Sequence, residues 1–384
     1  MSEKCGLYIH FPFCEKKCRY CDFYSITDFK QKSQFINSLF DEIKLTLEHI
    51  PEKITVETIF FGGGTPSVFN VSDIEKLIDV LHKYFAIESS AEFTIECNPG
   101  TVDLEKLRDY LSLGINRLSI GVQSFNDDLL RFLGRIHDAE QAMMTIKDAR
   151  RAGFENLSAD LIFSIPGQTT ELWEKDLAKI TEFNIPHISC YNLSYEPGTP
   201  LYKDMLKKRI HPLGEDIEGE LYLMTMDFLD SKNYFQYEIS NFAFRGYECK
   251  HNLNYWQGVS YSGFGPSAHS FIKNKRSANF RSLNRYINSI NKSRKPVEFT
   301  EELMESERRS EHIFLGLRSL GIDLNNFNKL FNLDLIEIIT ILFYDSINEY
   351  FIQQDGIISL TKQGKLVCDE ICLKIISFID NKKQ

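Results

Sequence analysis

Three cysteines lie within eight residues near the N-terminus of this 384-residue chain, at Cys14, Cys18 and Cys21. An iron–sulfur cubane has four irons, and ligation by four cysteine thiolates would close it into an electron carrier. Three cysteines leave one iron open, and an open metal position is where a small molecule can bind and be activated. The spacing therefore predicts a four-iron, four-sulfur (4Fe-4S) cluster that takes part in chemistry.

Two other interpretations of these cysteines are open at this point. Cysteine is among the most buried residue types and often packs as a small hydrophobic side chain. Zinc sites also use closely spaced cysteines, but these usually come as two separated pairs that complete a tetrahedron. No second pair follows near residues 14–21. The spacing therefore favours a cluster over zinc or simple packing.

The elements that must position the cysteines follow a repeating strand-and-helix pattern. Runs rich in β-branched and aromatic residues alternate with helix-period segments, as in βα units with parallel strands. Apolar residues recur on one face of segments such as 35–47 and 74–81, which predicts helices packed on a core. Asp103 and either Ser72 or Asp73 are the predicted helix N-caps. We place the six strand starts near Leu7, Thr58, Glu92, Arg117, Ser158 and His187.

Six units are fewer than the eight of a closed barrel, so we expect an α/β fold with a partial, TIM-like (β/α)6 barrel and ligands at the carboxyl ends of its strands. The glycines of GGGTPS (62–67) could serve a turn alone, or could let a ligand approach the bare backbone. Glu96 and Gln123 could be caps or solvated side chains, and Arg135 could pair with a ligand carboxylate. Asp160 lies inside an apolar strand and needs a partner.

Charge and cysteine usage limit the classes of function. The chain has 54 acidic and 44 basic residues, for a net charge of -10, which argues against broad nucleic-acid binding. Nine cysteines without an apolar leader segment indicate reduced thiols and a cytoplasmic location. Cys368 and Cys372 repeat the CX3C spacing without a third cysteine, so they are predicted to pack. The most apolar run, 335–344, is too short for a transmembrane segment; peripheral association with the inner membrane is left open.

Six motifs together carry a specific resemblance: CEKKCRYC, FFGGGTPS, ECNPG, RLSIGVQSF, LGRIH and DLIFSIPGQ. They resemble the radical S-adenosylmethionine (SAM) superfamily and, within it, the oxygen-independent coproporphyrinogen III dehydrogenase-like group, over roughly residues 5–270. The resemblance implies a 4Fe-4S cluster on the three cysteines, with SAM chelated to the fourth iron. It further implies reductive cleavage of SAM to a 5′-deoxyadenosyl radical, and therefore an electron donor such as a flavodoxin or ferredoxin.

The resemblance also implies roles for individual residues and a fold. Three residues resemble contacts of the cluster-bound SAM: Tyr8, Gly63 and Glu96. Six residues resemble the lining of a second SAM site: Tyr20, Gly64, Thr65, Gln123, Arg135 and Asp160. Whether one or two SAM molecules bind is left open. The implied fold, a partial (β/α)6 barrel with a helical C-terminal domain, agrees with the six units counted above.

Two departures from the coproporphyrinogen-enzyme pattern decide the branch. That pattern typically reads CX3CX2CXC after an N-terminal extension, but this chain has Phe23 at the fourth cysteine position and 13 residues before Cys14. The chain instead carries HNLNYW, which resembles the haem-binding motif of the haem-chaperone branch, with His251 as the iron ligand. Imidazole is a common axial haem ligand, and Tyr255 and Trp256 could cover a porphyrin face. A histidine that merely packs among aromatic residues is the other interpretation.

These features predict a haem chaperone that carries the cluster and SAM, binds haem at His251 and passes it to an acceptor protein. The alternative is an oxygen-independent coproporphyrinogen III dehydrogenase, which would decarboxylate propionate side chains with the adenosyl radical. Coproporphyrinogen oxidation is the less expected activity, and whether SAM is cleaved at all is left open.

Two domains are predicted. Residues 1–270 form the barrel with the cluster, SAM and haem sites, and residues 271–384 form a smaller, mainly α-helical domain. YSGFGPSAHS, at 261–270, is interpreted as an ordered loop that closes the barrel.

The C-terminal domain is predicted to resemble a winged-helix module. Helix-period segments at 301–320 and 334–351 precede FIQQDGIISLT, which is typical of a hairpin with a turn at Asp355 and Gly356, and a final helix follows. Because the chain is acidic, partner docking is a better expectation for this module than nucleic-acid binding.

Overall fold

Six parallel strands form the centre of the fold. The computed structural model describes residues 4–50 and 52–382, so the outer ends of the predicted domains, at residues 1 and 384, lie outside the described residues. The strands are neighbours in chain order, which confirms the predicted α/β partial barrel. Their bounds are β1 (Cys5–Phe11), β2 (Thr55–Gly63), β3 (Ala86–Cys97), β4 (Arg117–Gln123), β5 (Asn156–Phe163) and β6 (His187–Asn192).

Helices follow these strands and cover the outside of the sheet. Asp103 accepts a hydrogen bond from the backbone N–H of Lys106 and caps its helix as predicted. The prediction of Ser72 or Asp73 as a cap is wrong, since the helix already begins at Val71. Two short 3-10 helices, Phe29–Gln31 and Pro66–Val68, precede the first two helices. The bounds are α1 (Lys32–Leu47), α2 (Val71–Tyr84), α3 (Leu104–Ser112), α4 (Asp127–Leu133), α5 (Ala139–Ala152) and α6 (Thr170–Glu182).

Alternation along each strand separates a packed face from a ligand-accessible face. Successive strand residues point to opposite sides of a sheet. In β1, Leu7, Ile9 and Phe11 are fully buried in the main hydrophobic core together with residues of the covering helices. Tyr8 and His10 lie on the other face and line a cavity inside the barrel. The core therefore holds the strands in place while their polar residues face inwards.

Short strands extend the sheet on both sides of the barrel. The prediction that residues 261–270 form a loop is wrong, because Tyr261–Phe264 pairs in parallel with β1. A four-residue strand has too little periodicity to be recognised in a sequence, and the open edge of β1 supplies its hydrogen bonds. Beyond β6 lie β7 (Phe235–Gln236) and β8 (Asn241–Ala243), and beyond β1 lie β9 (Tyr261–Phe264), β10 (His269–Ile272), β11 (Lys275–Asn279) and β12 (Val297–Glu302).

Four more helices complete this part of the chain. The third of them carries the HNLNYW motif, and Cys249 is the residue before this helix. Their bounds are α7 (Pro200–Leu206), α8 (Glu215–Ser231), α9 (Lys250–Trp256) and α10 (Leu283–Ile290).

A second hydrophobic core is formed by buried residues between Ile313 and Ile379, in the C-terminal part of the chain. Here three strands pair in the order β13-β15-β14. The elements are α11 (Glu305–Leu317), β13 (Ile322–Asp323), α12 (Leu324–Phe331), α13 (Leu335–Leu342), α14 (Ile347–Tyr350), β14 (Phe351–Gln354), β15 (Ile357–Leu360), α15 (Lys362–Leu366) and α16 (Cys368–Lys382).

The predicted hairpin is confirmed, since Asp355 and Gly356 both have positive φ, at 51° and 80°, between β14 and β15. The two preceding helix predictions were too long. Segment 301–320 begins inside β12, and segment 334–351 is divided into α13 and α14 and ends in β14. The predicted boundary after residue 270 stays a prediction.

Cys368 and Cys372 pack in the second core as predicted, with their Sγ atoms 4.0 Å apart. Among the helices of the described residues, none is long and apolar enough to cross a membrane.

Candidate cluster and ligand site

The three predicted cluster cysteines lie in the loop between β1 and α1, at the carboxyl end of the barrel. Cys14 is buried and the other two are half-buried, and all three line a cavity of about 550 Å³. Backbone hydrogen bonds hold the loop, from Cys14 N–H to the Ile26 carbonyl (3.0 Å) and from Ile26 N–H to the Pro12 carbonyl (2.8 Å). The loop is therefore a positioned element that presents its thiols to the cavity.

Hydrogen-bond donors point at two of these thiols. The Thr65 hydroxyl donates to Cys14 Sγ, and Nη1 of Arg135 donates to Cys18 Sγ, both at 3.4 Å. Donors of this kind stabilise negative charge on sulfur. Arg135 Nε is also buried at this site and has no acceptor among the described residues. An anionic group in the cavity would satisfy it.

The thiols do not converge on a single point. In the described part of the chain, no three His, Cys, Asp or Glu side chains are grouped so that they could hold one metal ion. A cubane spreads its irons over its corners, so its thiolate ligands approach from separate directions. Three separate thiols around one cavity, with donors at their sulfurs, fit a 4Fe-4S cluster.

The glycine run after β2 is required by packing as well as by access. Gly64 N–H donates to the Phe11 carbonyl (2.7 Å), and Thr65 N–H donates to the Phe13 carbonyl (2.8 Å). A Cβ on Gly64 would lie 2.7 Å from both of these carbonyl oxygens, and Gly63 has a positive φ of 105°. Both glycines also line the cavity. The glycines therefore serve both roles that the sequence suggested, since they allow a tight turn and also leave the backbone open to a ligand.

Polar residues from four strand ends meet in the same cavity. Glu96 accepts a hydrogen bond from the backbone N–H of Gly63 (3.1 Å). Arg135 donates to Asn98 Oδ1 (2.6 Å) and to the Gly121 carbonyl (2.9 Å), which fixes its guanidinium beside the cysteine loop. Tyr20, Gln123 and Asp160 complete the lining. Gln123 has a positive φ of 68°, a strained conformation of the kind that occurs at ligand sites.

Glu96 gives the site a pH dependence that can be tested. Burial, with a further contribution from Asp160, raises the pKa of Glu96 from 4.5 to about 8. The folded protein therefore keeps a proton that the unfolded chain loses above pH 4.5, so this group's contribution to stability is intact at low pH and is lost as the pH rises through about 8.

For Glu96→Gln, which cannot lose a proton, we expect the Tm relative to wild type to increase between pH 5 and 8 and then to level off. Thermal unfolding of both proteins across this range measures the difference. The exposed Glu105→Gln serves as the control and should follow wild type throughout. A Glu96→Gln difference that does not vary with pH would contradict the assignment.

A second cavity, of about 620 Å³, occupies the barrel interior. It shares Gly63, Glu96 and Asp160 with the cavity at the cysteine loop. At its other end it is lined by the first residues of β4 and β6, Arg117 and His187. The seven residues of β4 span about 20 Å at about 3.3 Å per residue. The interior cavity therefore runs from the cysteine loop to the amino-terminal end of the strands.

His251 lies at this opposite end, on α9. It is 1% exposed, its ring stacks on Phe60 with centroids 5.1 Å apart, and burial lowers its pKa to about 3. Nδ1 is 2.8 Å from the Thr58 hydroxyl and Nε2 is 2.8 Å from the Tyr255 hydroxyl. His251 itself lines neither cavity, whereas Tyr255 lines the interior one. Tyr255 therefore separates His251 Nε2 from the cavity.

Glu92 fixes the start of α9. Its two carboxylate oxygens accept hydrogen bonds from the backbone N–H groups of Lys250 (3.0 Å) and His251 (3.1 Å) and from the thiol of Cys249 (3.4 Å). A carboxylate at a helix N-terminus also interacts favourably with the helix dipole. Burial raises the pKa of Cys249 to about 12, so it remains a protonated thiol.

The structure thus brings twelve of the thirteen predicted site residues to the two connected cavities and leaves His251 behind Tyr255. Sequence reasoning missed Arg117, Ser119 and Tyr191 as lining residues. Arg117 and Ser119 interrupt the apolar run RLSIGVQ with polar side chains two residues apart. Arg117, like Asp160, is a charged residue in an apolar strand and needs a partner, so it could have been recognised from the sequence in the same way.

Comparisons with known proteins agree with this fold and site. Residues 8–180 match the Radical SAM superfamily. The heme chaperone HemW of Bacillus subtilis (strain 168) is 37% identical over 369 residues, which cover 95% of this chain and 97% of that protein. HemW of Escherichia coli (strain K12) is 35% identical over 275 residues, which cover 70% of each chain.

Among solved structures, the coproporphyrinogen III oxidase HemN from Escherichia coli, described as a radical SAM enzyme, superposes with a TM-score of 0.83. The two chains are 23% identical, and the match covers 98% of this chain and 91% of that one. At this identity the likeness shows the fold alone. The fold and the three-cysteine site define a radical SAM protein, a class whose members use a 4Fe-4S cluster and SAM. Within that class, this chain belongs to the HemW family.

Proposed function

We propose that this protein is a haem chaperone, which binds haem at His251 and transfers it to an acceptor protein. The relatives that it matches along most of its length are named heme chaperones. The observation that carries the proposal is the environment of His251, a buried imidazole held between two hydroxyl groups next to a ligand-sized cavity. The acceptor would be a haem-dependent protein in the cytoplasm, where the thiols of the predicted cluster site would stay reduced.

Cys14, Cys18 and Cys21 would hold the cluster, which supplies an open iron for SAM and an electron received from a flavodoxin- or ferredoxin-like donor. In this proposal Glu96 and the backbone of Gly63 bind SAM next to the cluster. Tyr8 belongs to the same group, since it lines the interior cavity with them.

Arg135 would orient a second anionic or zwitterionic ligand. Its guanidinium is already fixed by Asn98 and Gly121, and Nε, which has no acceptor in the part of the chain that the structure describes, would complete the interaction. Tyr20, Gly64, Thr65, Gln123 and Asp160 line the surrounding wall.

His251 meets two requirements of an axial iron ligand. Its low pKa keeps the imidazole neutral at physiological pH, and neutral imidazole is the form that binds metals. The Thr58 hydroxyl at Nδ1 holds the ring orientation, as the groups behind metal-binding histidines commonly do. Iron coordination needs the Nε2 lone pair, so the Tyr255 side chain must turn away from it when haem binds.

His251→Ala is expected to weaken haem binding by more than about tenfold, because an iron–nitrogen bond is lost. Titration of the anaerobically purified protein with haem, followed by the Soret band, measures the change. His49→Ala, at an exposed histidine, is the matched control. Tyr255→Phe removes only the hydroxyl that bonds Nε2. That hydrogen bond is worth about 1 kcal/mol, so its loss should tighten haem binding by about fivefold. Unchanged binding in His251→Ala would exclude this histidine as the ligand.

A second candidate function is oxygen-independent coproporphyrinogen III dehydrogenation. The observation in its favour is that the interior cavity continues into the cysteine-lined cavity through Glu96 and Asp160, so a bound porphyrinogen could reach the cluster. Phe23, which is 67% exposed where the coproporphyrinogen enzyme is expected to have a cysteine, weighs against it. Incubation with coproporphyrinogen III, SAM and a reductant tests the activity, and formation of protoporphyrinogen IX would replace the chaperone proposal.

A further inference from the structure

The interior cavity is lined by a deeply buried arginine. Arg117, the first residue of β4, is 2% exposed and lines the cavity. Within residues 4–50 and 52–382, its guanidinium takes part in no ion pair within 4.0 Å and no side-chain hydrogen bond, and its Nε is buried without an acceptor. A buried cation is costly unless it is paired. The barrel therefore carries a charge that its own residues do not neutralise by direct contact.

The two carboxylates whose charges act on Arg117, Glu92 and Asp160, are engaged elsewhere. Glu92 accepts three hydrogen bonds from the start of α9. Asp160 accepts from the Ser119 hydroxyl, at 3.2 Å and 3.4 Å, and burial raises its pKa. Both carboxylates attract the guanidinium from a distance, but neither forms an ion pair with it.

The other arginines that line the cavity each pair with a carboxylate. Arg276 pairs with Glu311 at 2.6 Å, and Arg281 pairs with Asp22 at 2.9 Å. These arginines are also more exposed than Arg117, with side chains 31% and 52% accessible. Of the three arginines that line the described cavity, the most deeply buried one is thus the one left without a carboxylate.

We propose that Arg117 is the recognition group for a carboxylate of the ligand that enters the barrel, and that this carboxylate is a propionate of a tetrapyrrole. The proposal rests on the proposed haem-chaperone function and names a second contact for the same ligand. A guanidinium presents donors in a fixed fork that matches a carboxylate. The hydroxyls of Ser119 and Ser158 also line the cavity, but they already bond Asp160 and His187 Nδ1, so the guanidinium supplies the contact with the carboxylate.

Shape and position favour a tetrapyrrole over a smaller acid. The cavity of about 620 Å³ is within the range that holds drug-sized ligands, about 300–1,000 Å³. Aromatic rings of Tyr8, Phe60 and Tyr191 line its walls. Tyr255, which covers Nε2 of His251, faces the same space. One flat ligand could therefore present its metal towards Tyr255 and His251 while a side-chain carboxylate reaches Arg117.

Metal-free protoporphyrin IX tests this contact without using the iron ligand. We expect the wild-type protein to bind this diacid, followed by porphyrin fluorescence, at least about tenfold more tightly than protoporphyrin IX dimethyl ester, which lacks the carboxylates. Arg117→Gln should reduce the affinity for the diacid to that for the diester, and Arg117→Lys should recover part of the difference. Arg151→Gln, at an exposed arginine, is the matched control.

Three outcomes would overturn the proposal. The first is equal binding of diacid and diester by the wild-type protein, a comparison that does not depend on whether a variant folds. The second is an unchanged preference for the diacid in Arg117→Gln, with folding checked by circular dichroism.

The third outcome concerns the other carboxylate available in this barrel, that of SAM. If calorimetry shows that Arg117→Gln weakens binding of S-adenosylhomocysteine and leaves protoporphyrin IX unaffected, the ligand group is the methionyl carboxylate. Haem titration of His251→Ala is a separate measurement, so failure of the Arg117 contact and failure of the chaperone proposal can be told apart.

Discussion

Serine at any one of Cys14, Cys18 and Cys21 is expected to abolish the 4Fe-4S cluster, lowering the iron content from about four atoms per chain to near zero after anaerobic reconstitution. Three thiolates are the only protein ligands that the loop offers, and a serine hydroxyl is a poor substitute for a soft thiolate. Iron and sulfide analysis, together with the visible absorption of the cluster, measures the loss. The fold should persist, because the loop is held by backbone hydrogen bonds to Ile26 and Pro12.

The chain contains its own control for this experiment. Cys368 and Cys372 have the same CX3C spacing but pack in the C-terminal core, so Cys368→Ser should leave iron content unchanged. Retention of the full cluster in Cys14→Ser would mean that the loop is not the cluster site.

Glu92→Ala is expected to lower the free energy of unfolding by about 2–6 kcal/mol, because each of two buried donors left without an acceptor costs about 1–3 kcal/mol. Its carboxylate accepts three hydrogen bonds at the start of α9, and its loss leaves two backbone N–H groups unsatisfied and the charge of Arg117 less balanced. Since α9 carries His251, haem binding should weaken in the same variant. Urea unfolding of the apo protein and a Soret titration measure the two effects.

Glu92→Gln separates charge from hydrogen bonding. Its amide keeps one acceptor oxygen for α9 but not the negative charge, so a smaller loss of stability is expected. Glu88 lies on the same strand, where it is half-buried and pairs with the exposed Lys4 at 3.4 Å, and Glu88→Ala should change stability by less than about 1 kcal/mol, the range for such a surface pair. If Glu92→Ala were as stable as Glu88→Ala, Glu92 would not be the group that holds α9.

Much of the fold could be predicted because its signals are local. The six strands occur where β-branched and aromatic runs alternate with helix-period segments, and the hairpin turn at Asp355 and Gly356 follows from residues that adopt positive φ. The segments that were misjudged are short or depend on distant partners. β9 owes its conformation to the open edge of β1, which lies more than 250 residues earlier in the chain, so no local pattern announces it.

The sequence by itself determined the cysteine spacing, the order of βα units and the HNLNYW motif, because each depends on residue types at fixed separations along the chain. These features sufficed to predict the cluster and the class of fold. Only the tertiary structure decided how the parts face one another. It placed the cysteine loop and His251 at opposite ends of the barrel and set Tyr255 over Nε2 of His251. It also left Arg117 without an ion pair to any carboxylate of the described residues. These relations depend on distances between strands and on which buried donors already have acceptors, quantities that exist only once the chain has folded.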